Sequence, residues 1–100
     1  MTPSDGVRVL VVDARDNVAT CLAALKAGDT VALERAGATR SIGLATDVPF
    51  GHKFALEPID AGGEIRKYGV VVAQATRAID AGEHVHVHNV ESRRGRGDRA

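Results

Sequence analysis

Three stretches of the chain repeat one pattern: Leu25-Lys26-Ala27-Gly28-Asp29-Thr30-Val31, Ile59-Asp60-Ala61-Gly62-Gly63-Glu64-Ile65 and Ile79-Asp80-Ala81-Gly82-Glu83-His84-Val85. Each sets an apolar residue, two spacers and Gly before an acid and a strand-forming run. The physical content is a tight turn in which Gly takes a positive φ at no steric cost, while the preceding apolar residue pins the loop to the core. Spacing between the copies is uneven, which points to a folded β body with similar corners and away from a solenoid of fixed period.

The rest of the chain is consistent with such a body. Val7–Val12 is a β-branched run ending at Asp13, and reads as an opening strand buried on at least one face. Thr30–Leu33 and Thr39–Ala45 flank an Ala36-Gly37 turn, and Lys53–Leu56, Glu64–Tyr68, Val70–Ala75 and Val85–Val90 are further short runs bounded by Gly, Pro or Asp. One segment breaks the pattern. Asp16 stands as an N-cap, Val18, Cys21, Leu22 and Leu25 follow at the spacing of one helical face, and Gly28 stands as the C-cap, so the spacing predicts a single short α-helix near the N-terminus. Cys21 falls on its apolar face and reads as a buried small hydrophobe, with no His near it in sequence to make it a nucleophile.

At 100 residues the chain is expected to form one domain, and three aromatics with no Trp leave Val, Ala, Leu and Ile to build its core. Thirteen basic residues balance thirteen acidic ones, which removes the charge argument for binding nucleic acid or an anionic membrane over the whole surface. No run approaches the roughly 20 apolar residues of a membrane helix. A single Cys cannot form an internal disulfide, and residues 1–6 do not resemble a secretory leader, so the expected setting is reducing and cytoplasmic. The segment Glu91 to Ala100 carries four Arg without apolar periodicity or interleaved aromatics, and reads as a flexible tail behind a domain at 7–90.

Polar chemistry collects in two places. In His84-Val85-His86-Val87-His88-Asn89-Val90, three of the four His stand on alternate residues. On an extended strand these imidazoles share one face about 6–7 Å apart, with Val85, Val87 and Val90 helping to fill the interior. Such a row can bind a metal if the strand bends, or it can be the polar outer face of an edge strand. Asn89 has the opposite parity, and a kink at the strand end would bring it round. The second place is Pro49-Phe50-Gly51-His52-Lys53-Phe54-Ala55-Leu56, where Gly51 lets the chain turn and present His52 and Lys53 at the start of a strand, or simply in a solvated loop.

These residues, with Asp16-Asn17-Val18-Ala19, Ile65-Arg66-Lys67-Tyr68-Gly69 and Ala75-Thr76, resemble in order the SAF domain of the altronate/galactarate dehydratase family over about residues 8–90. The resemblance implies a compact, mainly β fold, a β-clip, here with the one helix. It further implies the free-standing small subunit of a two-subunit lyase, similar to altronate-dehydratase-like small subunits or the alpha subunit of sulfolactate sulfo-lyase. Such an enzyme removes the proton α to a carboxylate of a hydroxy acid and expels water or sulfite from the β carbon, giving a 2-oxo acid. A base and a cation at the developing ene-diolate are needed. The family's divalent metal, usually iron, assigns His84, His86 and His88 as metal-facing groups. His52, Lys53 and His86 become the catalytic cluster, and Lys53 and Asn89 the contacts to substrate. The implied partners are a large catalytic subunit in a hetero-oligomer and a small hydroxy acid, without nucleic acid or membrane.

Two features depart from the family pattern: the doubled Gly62-Gly63 and the Arg93, Arg94, Arg96, Arg99 tail. Two competing readings are a non-catalytic SAF-type module that binds a carbohydrate or assembles with a partner protein, and a purely structural subunit.

Overall fold

The computed structural model describes residues 9–11, 13–35 and 37–92. The flexible tail expected at 91–100 lies outside these residues except for Glu91 and Ser92, which belong to a strand. Nine strands follow one another: β1 Val9–Leu10, β2 Val18–Cys21, β3 Thr30–Arg35, β4 Ala38–Gly43, β5 Lys53–Ala55, β6 Glu64–Lys67, β7 Val70–Ala75, β8 His84–Val85 and β9 Val90–Ser92. All pairings are antiparallel, in a four-stranded sheet β1-β2-β5-β8, a β3-β4 hairpin and a three-stranded sheet β6-β7-β9.

The middle of the four-stranded sheet, β2 and β5, is buried on both faces. Val9, Ala19, Cys21, Phe54 and Leu56 face one core, which includes Val31, Leu33 and Ile42 of the hairpin. Val18, Ala55 and Val85 face the other, shared with Ile65, Ala73 and Ala75 of the three-stranded sheet. Two-sided burial explains why the predicted helix is absent: among the described residues there is no α-helix, and Val18–Cys21 is a strand. A strand with apolar residues on both faces loses its alternation, so Val18, Cys21, Leu22 and Leu25 only imitate a helical face. Leu22 is in fact 41% exposed, and Leu25 reaches the core through a bridge to Val48. Asp16 caps no helix either; its buried carboxylate accepts the N–H groups of Tyr68 and Gly69, at 3.1 and 2.8 Å. Gly28, at φ 92°, closes a turn. The remaining all-β arrangement is compatible with the expected β-clip.

The repeated corners share their hydrogen bonds. In each, the residue after Gly donates back three residues, Asp29 to Lys26, Gly63 to Asp60 and Glu83 to Asp80. Each corner also exchanges two bonds with a strand end: Gly28 N–H to Leu44 and Leu44 N–H to Asp29; Gly62 to Ala75 and Ala75 to Gly63; Gly82 to Ala55 and Ala55 to Glu83. A fourth corner at Val48-Pro49-Phe50-Gly51-His52-Lys53 repeats the arrangement, His52 donating to Pro49, Gly51 to Cys21 and Cys21 to His52. The corners pair through isolated bridges, Leu25 with Val48 and Ile59 with Ile79.

The strand expected at Val85–Val90 is interrupted. Its first part ends at Val85, residues 86–89 form a turn, and β9 begins at Val90. Val87 is 81% exposed and fills no interior. Asn89 explains the break: its Oδ1 accepts the His86 N–H at 3.0 Å and its Nδ2 donates to the His84 carbonyl at 2.8 Å, which diverts both backbone groups from a sheet ladder.

Candidate functional site

Pairing of β5 with β8 sets Lys53 opposite Val85 and Phe54 opposite His84, so the corner that ends at His52 meets the corner that ends at Glu83. Three imidazoles converge there. His52 Nδ1 and His84 Nε2 are 2.8 Å apart, a hydrogen bond in which one ring nitrogen donates and the other accepts. The His86 ring stacks on that of His52 at 4.2 Å between centroids, and lies 5.5 Å from that of His84. One nitrogen from each of His52, His84 and His86 lies within 4.8 Å of the others. His88 stands outside this trio, exposed, its ring 5.1 Å from that of His84.

Second contacts hold the imidazoles in place. The Thr46 hydroxyl accepts the His84 N–H at 2.9 Å. Asn89, whose side chain is wholly buried, ties His84 to His86 through the two bonds above and donates its own N–H to the His86 carbonyl at 3.0 Å. Its amide thus positions the His-bearing turn. Desolvation by burial pushes the His84 pKa down, and the surrounding His88, His52, His86 and Lys53 push it further the same way. A neutral ring keeps its lone pair, and a set of imidazoles of this kind suits iron, zinc, nickel or copper.

Beside the trio opens a cleft of about 310 Å³ with an apolar floor of Ile65, Val72, Ala73 and Val85 and with Lys53 and His86 at its side. Among the sequence-expected residues, His52, Lys53, His84 and His86 are therefore drawn together, His88 borders the group, and Asn89 lies behind it. Reading alternation along 84–88 alone missed the partnership of His52 with His84 and the support from Thr46. The signal for His52 was present: Val48, two spacers and Gly51 match the corner pattern, with a His in the place of the acid.

Comparison with known proteins identifies the family. Residues 7–93 match the altronate/galactarate dehydratase SAF domain, nearly the whole of the chain. The chain belongs to that family. It is 38% identical over 86 residues to altronate dehydratase of Escherichia coli (strain K12), an alignment covering 86% of this chain and 17% of that protein. It is also 40% identical over 47 residues to the (2R)-sulfolactate sulfo-lyase subunit alpha of Chromohalobacter salexigens, covering 47% of this chain and 50% of that subunit. The corresponding subunit of Paracoccus pantotrophus is 38% identical over 48 residues, 48% of this chain and 72% of the subunit. The SAF domain thus spans a minor part of the altronate dehydratase and half to about three quarters of the sulfo-lyase subunits. Among its described residues no helix is long and apolar enough to cross a membrane.

Proposed function

We propose that this SAF domain is the small subunit of a two-subunit lyase that carries out β-elimination on a hydroxy acid such as altronate or galactarate, or on sulfolactate. The observation that carries the reading is the convergence of His52, His84 and His86 within 4.8 Å beside the cleft that Lys53 lines. It is supported by relatives that are a dehydratase and the alpha subunits of a sulfo-lyase.

In this reading the Lys53 ammonium pairs with the substrate carboxylate, which draws charge away from the carbon that loses its proton. That proton passes to a base that the large subunit contributes at the open side of the cleft, while stacking of His86 on His52 fixes the ring that lines the cleft. The leaving group departs from the β carbon with its bonding pair, and the enol product tautomerises to the 2-oxo acid. His52, His84 and His86 would hold a divalent metal, with His88 beside them, and iron is the expected ion. A bound metal would supply Lewis-acid stabilisation to the developing ene-diolate. The shallow cleft does not enclose a substrate, so a large subunit completes the site in a hetero-oligomer. A cytoplasmic setting belongs to the same reading, supported by the single cysteine of the chain.

The test is reconstitution with a larger dehydratase-like polypeptide, followed by turnover of altronate, galactarate and sulfolactate. Changing His84 or His86 to Ala is expected to cut turnover by about 100-fold or more while assembly persists. Undiminished turnover in both variants would sink the catalytic role. Full activity of the large polypeptide alone would leave this chain as a structural or binding module.

A further inference from the structure

Both larger sheets line the cleft, and they bring different chemistry to it. Lys53 of β5 and His86, just after β8, put the ionisable side chains of the lining on the wall of the four-stranded sheet. The wall from the three-stranded sheet is Ile65, Val72, Ala73 and Val90, with Ser92 at the exposed strand end. Among the described residues no carboxylate lines either wall.

An irregularity of β7 enlarges the aliphatic wall. Ile65 pairs with Ala73 but Arg66 pairs with Val71, so Val72 has no opposite residue on β6, the two-against-one count of a β-bulge. On a regular strand one of two successive side chains would turn away from the cleft, whereas Val72 and Ala73 both line it. The bulge thus adds a branched apolar side chain to the lining. Val87, 81% exposed, adds another at the rim of the other wall.

We infer that Val72, Val87 and Val90 form an aliphatic subsite of the cleft, which selects 2,3-dihydroxy acids with a short hydrocarbon tail over polyhydroxylated sugar acids. The carboxylate of such an acid meets Lys53, its hydroxyls lie toward the imidazoles, and its methyl groups lie against the valines, where removal from water favours binding. A sugar acid carries a hydroxyl on every carbon beyond the carboxylate, and each one laid against this wall gives up bonds to water with nothing from the valines in return. The inference rests on the lyase reading for the identity of the cleft and names its substrate class.

The two separate in NMR titrations of the full chain with 2,3-dihydroxy-3-methylbutanoate and with altronate. The branched acid is expected to bind about tenfold or more tightly than altronate, and to shift the Val72, Ala73 and Val90 amides together with those of Lys53 and His86. Val72→Thr, which puts a hydroxyl in place of one methyl at unchanged shape, should weaken the branched acid about fivefold and leave altronate bound as well or better. Val87→Thr, at an exposed position, should act in the same direction. Val71→Thr, one residue along β7 and outside the lining, should change neither acid. Equal or tighter binding of altronate, or a loss at Val71→Thr that matches the loss at Val72→Thr, would overturn the subsite while leaving the lyase reading intact. Failure of both acids to bind at millimolar concentration would overturn the reading of the cleft and the subsite with it.

Discussion

The corners at 25–30 and 48–53 have the same main-chain hydrogen bonds and opposite chemical content. In the first, Asp29 follows Gly28 and turns its carboxylate back to the Lys26 N–H at 2.9 Å, which closes its own turn. In the second, His52 follows Gly51 and directs its ring to His84, 32 residues away in sequence. The pair at 59–64 and 79–84 divides in the same way, since the former presents Gly63-Glu64 and the latter Glu83-His84. One backbone device serves four times, and the imidazoles gather where two copies meet across the β5-β8 pairing. A fold can thus keep its corners for stability and vary only the residues just after Gly for chemistry.

The largest effects should come from breaking that division. Replacing His52 with Ala is expected to lower turnover of the reconstituted lyase by about 100-fold or more, whereas Thr30→Ala, in the quiet corner, should leave turnover within about twofold; steady-state kinetics on both variants decides. Comparable losses in the two would show that the corners matter only as structure.

Stability should discriminate between the glycines. Gly28 and Gly82 both have positive φ, but a Cβ at Gly28 meets open space, whereas one at Gly82 runs into the Gly43 carbonyl. Gly28→Ala is expected to cost about 1 kcal/mol from backbone strain alone, and Gly82→Ala about 3 kcal/mol or more because backbone must also move, as read by urea unfolding. Equal losses would mean that the corners relax independently of their packing.

Asn89→Ala should cost about 2 kcal/mol, because it leaves the His86 N–H and the His84 carbonyl without their partner, and it should loosen the imidazole group. Thermal unfolding together with the His ring shifts checks both halves of this expectation.

The smallest effect concerns pH. With its folded pKa depressed below 6.5, His84 binds a proton more readily in the unfolded chain. Its contribution to stability is therefore complete above about pH 6.5 and declines as the pH falls through and below that value. His84→Gln should flatten that part of the stability profile, measured by unfolding at stepped pH. An unchanged profile would place the sensitivity elsewhere.

Much of the frame was legible in the sequence because local chemistry and tertiary role agreed there. Three Gly corners, the hairpin strands at 30–35 and 38–43 and those at 64–67 and 70–75 follow from turn residues and β-branched runs. Val18–Cys21 was misread because a strand buried on both faces carries no period of two. The strand at 85–90 was misread because Asn89 competes for the backbone from inside the fold, a contact that alternation along a chain does not encode. Of the site, the residue types were visible, and the family resemblance already set His52 and Lys53 with His86 at one cleft. The contact of His52 with His84 was not legible, because it exists only through the pairing of β5 with β8.

The central claim, that corners from distant parts of the chain assemble one imidazole site, is tested most directly by titrating the full chain with a divalent ion while following the four His rings by NMR. The account predicts that His52, His84 and His86 respond together at one equivalent of ion, and that His52→Ala weakens the ion about tenfold or more. Binding that perturbs His84, His86 and His88 and is indifferent to His52→Ala would contradict it.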